Sequence, residues 1–170
     1  GAGEGLVTIP IIQFLETKIT VHSYVIEPSL MIQNFKVHSI DRLALIQKNV
    51  EEVLLLSADF ILCSHVVPYL QDQPKVLQSM YTALNNGGLC LVVTTNERSD
   101  DARLKNELLG VSDAGTSTQL ITKFLTRSQI KHTVEVVEST IDVKGCFDST
   151  EDGKAIFSFM PLMSGMLMDT

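Results

Sequence analysis

A glycine-rich segment, GAGEG, stands directly before an apolar stretch with helical spacing. Gly1, Gly3 and Gly5 give the pattern G-x-G-x-G. Glycines permit a tight backbone turn and the close approach of a ligand, and the N–H groups at a helix N-terminus attract a carboxylate or a phosphate. An ordinary glycine-rich loop is the alternative, so the motif needs support from residues elsewhere in the chain.

Glu27 provides that support. It follows a predicted strand, Val21–Ile26, and lies 22 positions after Gly5. In a parallel α/β sheet this spacing brings the carboxylate beside the glycine loop, where it can accept hydrogen bonds from two ribose hydroxyls. Taken alone, Glu27 could be a simple loop acid. Taken with the glycines, it favours a nucleotide-binding site.

The segments that must position these residues alternate between a helical spacing of apolar residues and short runs typical of strands. Helical spacing predicts helices at Leu6–Glu16, Leu30–Phe35, Asp41–Leu55, Asp72–Leu84, Arg98–Leu109 and Thr118–Arg127. β-branched and apolar runs predict strands at Val21–Ile26, Phe60–Ser64, Leu89–Thr95 and His132–Ser139, with Ala155–Phe159 either a strand or a helix start. The alternation predicts an α/β, Rossmann-like, doubly wound and mostly parallel sheet with helices on both faces, forming one domain over residues 1–170.

Composition narrows the possible partners. The formal net charge is −7, and the lysines and arginines are scattered, which argues against a nucleic-acid partner. No apolar run is long enough to span a bilayer, so we expect no membrane partner. Three widely spaced cysteines suit neither a zinc site nor a disulfide framework and fit a reducing compartment. We therefore expect a cytoplasmic monomer without a metal.

Residues 59–93 distinguish between classes of nucleotide-binding protein. This segment closely resembles the fourth strand, following helix and fifth strand of class I S-adenosylmethionine-dependent methyltransferases. Asp59 opens the strand, Cys63–Val66 is the loop, and Leu84–Gly88 provides the Leu-x-x-Gly-Gly ending of the helix. A NAD-dependent dehydrogenase shares the glycine loop and the acid but not this block. The resemblance implies S-adenosyl-L-methionine as cofactor.

A second resemblance concerns the acceptor. Val25–Ser29, Ser139–Val143 and the pair Cys146–Phe147 are similar to segments of the histamine N-methyltransferase-like small-molecule methyltransferases. This implies methyl transfer to a small molecule, at an amine or imidazole nitrogen. Direct in-line displacement needs neither a metal nor a protein nucleophile, and the protein contributes proximity and orientation.

The resemblance also implies roles for individual positions. Residues around the cofactor would be Gly1, Gly3 and Gly5 at its methionine end, Glu27 at the ribose, Pro28 and Ser29 beside the adenosine, and Ser64 and His65 near the sulfonium. His65 and Tyr69 would face the substrate. The relatives have a glutamine at the His65 position and a second tyrosine where this chain has Pro68, so the substrate need not be histamine.

His65 permits two interpretations. An imidazole titrates near neutral pH and could orient the substrate or accept a proton from an ammonium group, which would make His65 catalytic. Alternatively, the residue shapes the loop after the fourth strand. The same choice applies to the whole chain, which could be an enzyme or a non-catalytic methyltransferase-like binding domain.

Two expected elements are missing from the pattern. No strand precedes Gly1, and no convincing third strand with a following acid lies between Glu27 and Asp59. We expect the first strand, and a substrate lid, to belong to an absent N-terminal part, and the third strand to be degenerate or absent.

Overall fold

The computed structural model describes residues 1–37, 40–96, 98–100, 102–103, 107, 117–140, 144 and 151. Its principal elements, in chain order, are α1 (Thr8–Glu16), β1 (Ser23–Ile26), a 3-10 helix (Leu30–Val37), β2 (Leu43–Ile46), β3 (Ala58–Ser64), α2 (Gln73–Ala83), β4 (Leu84–Val93) and α3 (Ser117–Arg127). Two single-turn 3-10 segments, Val50–Glu52 and Val67–Tyr69, connect them. The alternation of helices and strands confirms the predicted α/β class.

The strands pair in two parallel ladders. β1 pairs with β2, so that Ser23 lies opposite Leu43 and Ile26 opposite Ile46. β3 pairs with β4, from Phe60 opposite Leu89 to Ser64 opposite Val93. Parallel pairing is the arrangement expected of a Rossmann-like sheet. Within the described residues these are two separate two-stranded sheets.

β2 corrects the sequence-based prediction. Residues Asp41–Leu55 were expected to form a helix, and no third strand was expected between Glu27 and Asp59. The structure instead has the strand Leu43–Ile46 and only a short 3-10 turn at Val50–Glu52. A short apolar run such as LALI cannot be assigned to helix or strand by periodicity alone, and a non-local partner decides it. Here the partner is β1.

Other predicted strands also differ from the structure. β4 begins at Leu84 rather than Leu89, so that the Asn-Asn-Gly-Gly segment belongs to the strand. The strand predicted at His132–Ser139 is wrong, since residues 131–140 have no regular secondary structure. Val134, Val136 and Val137 are exposed there, which shows that alternation without a pairing partner does not make a strand. The prediction for Ala155–Phe159 lies outside the described residues.

The remaining helices agree in position with the predictions. α2 begins after Asp72, whose carboxylate accepts a hydrogen bond from the Lys75 N–H at 3.1 Å, and Pro74 occupies the first turn, where its missing N–H has no cost. The segment predicted as the helix Leu30–Phe35 is a 3-10 helix. Among the described residues of Arg98–Leu109, Asp100, Ala102, Arg103 and Glu107 are helical.

The core next to the glycine loop is built from three elements. Ile9 of α1, Val25 of β1 and Phe35 of the Leu30–Val37 helix form a buried cluster, with Phe35 fully buried. Leu43 and Leu45 of β2 pack against it. The cluster fixes α1, β1 and the 3-10 helix around the segment Gly1–Gly5.

Chain contacts divide the molecule into two compact units. The first contains residues 1–95 and 117–124, with both sheets, and the second contains residues 96–116 and 125–170. All residues of the candidate site belong to the first unit. The assignment of residues 1–170 to a single domain stays a prediction.

Candidate functional site

The glycine loop, defined here as Gly1–Gly5, turns tightly before α1. The Gly5 N–H donates to the Ala2 carbonyl at 3.0 Å, and the Ile9 N–H donates to the Gly5 carbonyl at 2.8 Å, which starts the helix. No side chain caps the N-terminus of α1. The Ile9 N–H is already used by Gly5 and Pro10 has no N–H, so this end of α1 offers few free donors to a ligand. The tight turn before α1 nevertheless agrees with the prediction from the sequence.

Gly3 and Gly5 are both needed as glycines, for different reasons. Both have positive φ, at 53° and 90°. A Cβ on Gly5 would lie 2.5 Å from Ile9 Cδ1 and 2.6 Å from Phe35 Cζ, whereas a Cβ on Gly3 would meet nothing within 4 Å. Gly5 thus packs the loop onto the core, and Gly3 leaves open space beside its backbone.

Glu27 connects β1 to this loop. Its side chain is only 6% exposed. Oε2 accepts a hydrogen bond from the Gly3 N–H at 2.8 Å, and Oε1 accepts one from the Ser29 N–H at 3.0 Å. The Glu27 N–H continues the pairing of β1 with β2 by donating to Ile46 at 3.1 Å. The predicted proximity of Glu27 to the glycine loop is therefore present in the structure.

The protonation state of Glu27 follows from these contacts. Burial by itself raises the pKa of the Glu27 carboxyl group, but hydrogen bonds from the Ser29 side chain and from the backbone N–H groups of Gly3 and Ser29, together with the charge of the Gly1 ammonium group, lower it more. The net pKa lies below the ordinary value of 4.5. Glu27 is consequently a carboxylate at neutral pH and can accept further hydrogen bonds.

The end of β3 approaches the same loop. A Cβ placed on Gly1 would lie 3.1 Å from Glu27 Oε2 and 3.7 Å from Val66 Cγ2. Gly1 therefore lies between the carboxyl end of β1 and the loop that follows β3. Ligands of open α/β sheets bind at this edge of the sheet.

His65 has an unusual backbone conformation in that loop. Its φ is +55°, its side chain is exposed, and its N–H donates to the Val93 carbonyl at 2.8 Å. A non-glycine residue in the left-handed region costs free energy, and such residues concentrate at functional sites. Ser64 ends β3 and is half-buried.

Pro28 and Ser29 follow Glu27 directly. Pro28 is exposed, Ser29 is half-buried, and Ser29 Oγ accepts a hydrogen bond from the Met31 N–H at 3.3 Å. Tyr69 ends the 3-10 turn Val67–Tyr69 and is 57% exposed. The contacts bring Gly1, Gly3, Glu27 and Ser29 together.

One contact of the loop was not predicted. Asn34 Nδ2 donates a hydrogen bond to Glu4 Oε1 at 2.7 Å, linking the glycine loop to the Leu30–Val37 helix. No motif in a single sequence pairs residues 30 positions apart. Val66 was likewise seen only as part of a loop.

In the part of the chain that the structure describes, no group of three or more His, Cys, Asp or Glu side chains could hold a metal ion. No helix among the same residues is sufficiently long and apolar to cross a membrane.

Comparison with known proteins identifies the family. The sequence pattern of a methyltransferase domain matches residues 1–137, which include every candidate site residue. A comparison with curated proteins gives no match. Because the match spans most of the chain, and the glycine loop, Glu27 and the parallel strands all lie within it, this chain belongs to the methyltransferase domain family.

Proposed function

We propose that this chain is the cofactor-binding core of a class I S-adenosyl-L-methionine-dependent methyltransferase. The observation that carries the proposal is the hydrogen bond between the Gly3 N–H and Glu27 Oε2, at 2.8 Å. It joins the glycine loop to an ionised carboxylate at the carboxyl end of a parallel strand. A nucleoside with free ribose hydroxyls fits this combination.

The residues present suit that cofactor. A carboxylate has about four lone-pair positions. The Glu27 carboxylate uses three of them for the N–H groups of Gly3 and Ser29 and for the Ser29 side chain, so one remains for a ribose hydroxyl. The space beside Gly3 is free of atoms within 4 Å of a Cβ position, which leaves room for the methionine end of the cofactor.

The proposed roles follow from these positions. Gly1, Gly3 and Gly5 hold the methionine end, Glu27 holds the ribose, Pro28 and Ser29 flank the adenosine, and Ser64 and His65 adjoin the sulfonium. The bound cofactor supplies an electrophilic methyl group. The chain holds the two reactants in the orientation that methyl transfer requires and excludes other orientations.

The acceptor is proposed to be an amine or imidazole nitrogen of a small molecule, with His65 and Tyr69 facing it. This rests on the resemblance of Val25–Ser29 and of the segment from Ser139 to Phe147 to the histamine N-methyltransferase-like enzymes. The exposed imidazole of His65 would take the proton that the nitrogen must lose. Exposure of Tyr69 supports a place at the wall of the substrate site.

The finer fold is proposed in the same way. We propose that the two ladders belong to one doubly wound, mostly parallel sheet with helices on both faces. The position of Gly1, close to Glu27 after β1 and to Val66 after β3, supports this. A monomer in the cytoplasm, without a nucleic-acid or membrane partner, remains our expectation for the protein.

Isothermal titration calorimetry of the chain with S-adenosylmethionine and S-adenosylhomocysteine tests the cofactor. We expect binding that Glu27→Ala weakens by about tenfold or more, because the charged acceptor for the ribose is lost. The exposed Glu135→Ala variant is the matched control. Equal affinity of wild type and Glu27→Ala would refute the ribose assignment.

Turnover decides between the two remaining interpretations. S-adenosylhomocysteine release is measured with a panel of small amines and imidazoles. Release with at least one of them supports the enzyme. Cofactor binding with no release for any acceptor would instead identify a non-catalytic methyltransferase-like domain.

A further inference from the structure

The glycine loop has a single long polar side chain, that of Glu4, and this side chain is held by a residue outside the loop. Asn34 Nδ2 lies 2.7 Å from Glu4 Oε1. The bond joins a neutral amide donor to a carboxylate, a class of hydrogen bond stronger than one between neutral groups. It links positions separated by 30 residues, so it restrains the loop against a different part of the chain.

The anchor on the other side of this bond is rigid. Asn34 precedes Phe35, which is fully buried in the cluster with Ile9 and Val25. The Leu30–Val37 helix therefore cannot move without disturbing the core. The hydrogen bond from Asn34 therefore holds the Glu4 side chain in place relative to that helix.

The loop needs such a restraint because glycines favour disorder. Gly3 and Gly5 gain more conformational freedom in a released loop than other residues would. The Gly3 N–H must stay within hydrogen-bond distance of Glu27 for the site to keep its shape. Fixing the intervening residue Glu4 reduces the ordering that ligand binding would otherwise require.

We infer that Asn34 is a positioning residue: through Glu4 it holds the glycine loop in the shape that binds the cofactor, although Asn34 itself touches no ligand. The inference rests on the proposed function for its effect on affinity. Its effect on the loop itself is independent of any ligand.

Exchanging the amide and the carboxylate between positions 34 and 4 tests the inference. Asn34→Asp sets two carboxylates against each other, and we expect about tenfold weaker binding of S-adenosylmethionine in calorimetry. Glu4→Gln combined with Asn34→Asp keeps both side-chain lengths and the net charge, and restores an amide–carboxylate pair with reversed roles. We expect this double variant to bind within about twofold of wild type. Gln33→Ala, an exposed neighbour on the same helix, is the matched control and should bind like wild type.

Amide hydrogen exchange of Gly3 and Gly5 without cofactor provides a second measurement. Exchange should accelerate about tenfold in Asn34→Asp and return in the double variant, while amides of α2 stay unchanged. If wild type binds no cofactor, the proposed function fails and exchange alone decides the inference. Unchanged loop exchange in Asn34→Asp, or no recovery in the double variant, would overturn it.

Discussion

The Glu27 carboxylate and the Gly3 amide are joined by a hydrogen bond of 2.8 Å across 24 positions of sequence. With the Ser29 N–H on its other oxygen, Glu27 is a buried acid whose hydrogen bonds come from the backbone on both sides. The same side chain thus closes the glycine loop and presents an ionised acceptor at the sheet edge. Under the proposed function, fold stability and ribose binding therefore depend on the same residue.

Glu27→Gln should destabilise the fold by about 1–3 kcal/mol, because an amide NH₂ would face one of two backbone N–H groups and leave a buried donor without an acceptor. Urea unfolding followed by circular dichroism measures the loss. Glu135→Gln removes the same charge at an exposed position and should change the free energy of unfolding by less than about 0.5 kcal/mol. Equal stability of the two variants would contradict the role of Glu27 in closing the loop.

The lowered pKa of the Glu27 carboxyl group predicts a pH dependence. Its folded-state pKa lies below the ordinary value of 4.5, so the folded state binds the proton more weakly than the unfolded state. The stabilisation by Glu27 is complete above about pH 5 and is lost as pH falls through the folded-state pKa. Urea unfolding between about pH 3 and pH 7 should show a smaller acid loss for Glu27→Gln than for wild type. If wild type and Glu27→Gln lost equal free energy of unfolding as the pH falls, the lowered pKa of Glu27 would be refuted.

The glycine loop and Glu27 could be predicted from the sequence, but not all of the residues around them. The G-x-G-x-G motif and Glu27 were sufficient to predict that a loop and a carboxylate meet, because parallel strands place their carboxyl ends at one edge. The strand Leu43–Ile46 was missed because its apolar residues also fit a helical period and only pairing with β1 distinguishes the two. The bond between Glu4 and Asn34 depends on tertiary structure alone, so no pattern could reveal it.

Gly5→Ala should be strongly destabilising. The new Cβ would lie 2.5 Å from Ile9 Cδ1 and 2.6 Å from Phe35 Cζ, at a φ of +90°. Overpacking and backbone strain together should cost about 2–4 kcal/mol in urea unfolding. Gly87→Ala is the matched control, since Gly87 has a φ of +83° but no neighbour within 4 Å of a Cβ, and should show only the backbone part of the cost. Equal losses in the two variants would show that contact with Phe35 is unimportant.

Two substitutions of His65 separate its possible roles. Glycine adopts a φ of +55° without a steric cost and alanine does so only at a cost, so His65→Gly should be more stable than His65→Ala by about 1 kcal/mol. If the imidazole accepts the substrate proton, both variants should lose about 100-fold or more in S-adenosylhomocysteine release. If His65 only shapes the loop, His65→Gly keeps its turnover and His65→Ala alone is impaired. We expect the first pattern.

Cys63 and Cys90 should be poorly reactive in the folded chain. They lie on neighbouring strands and on the same side of the β3–β4 ladder, where Ile61 pairs with Cys90 and Cys63 pairs with Val92. Burial raises the pKa of the Cys63 thiol and raises that of Cys90 to about 11. Since the thiolate is the reacting species, alkylation of Cys90 by iodoacetamide near pH 8 should be about 100-fold slower than in concentrated urea. The Cys146→Ser background restricts the signal to these two thiols, and mass spectrometry of digested samples resolves them. Rapid modification of Cys90 in the native chain would show that the β3–β4 ladder opens readily.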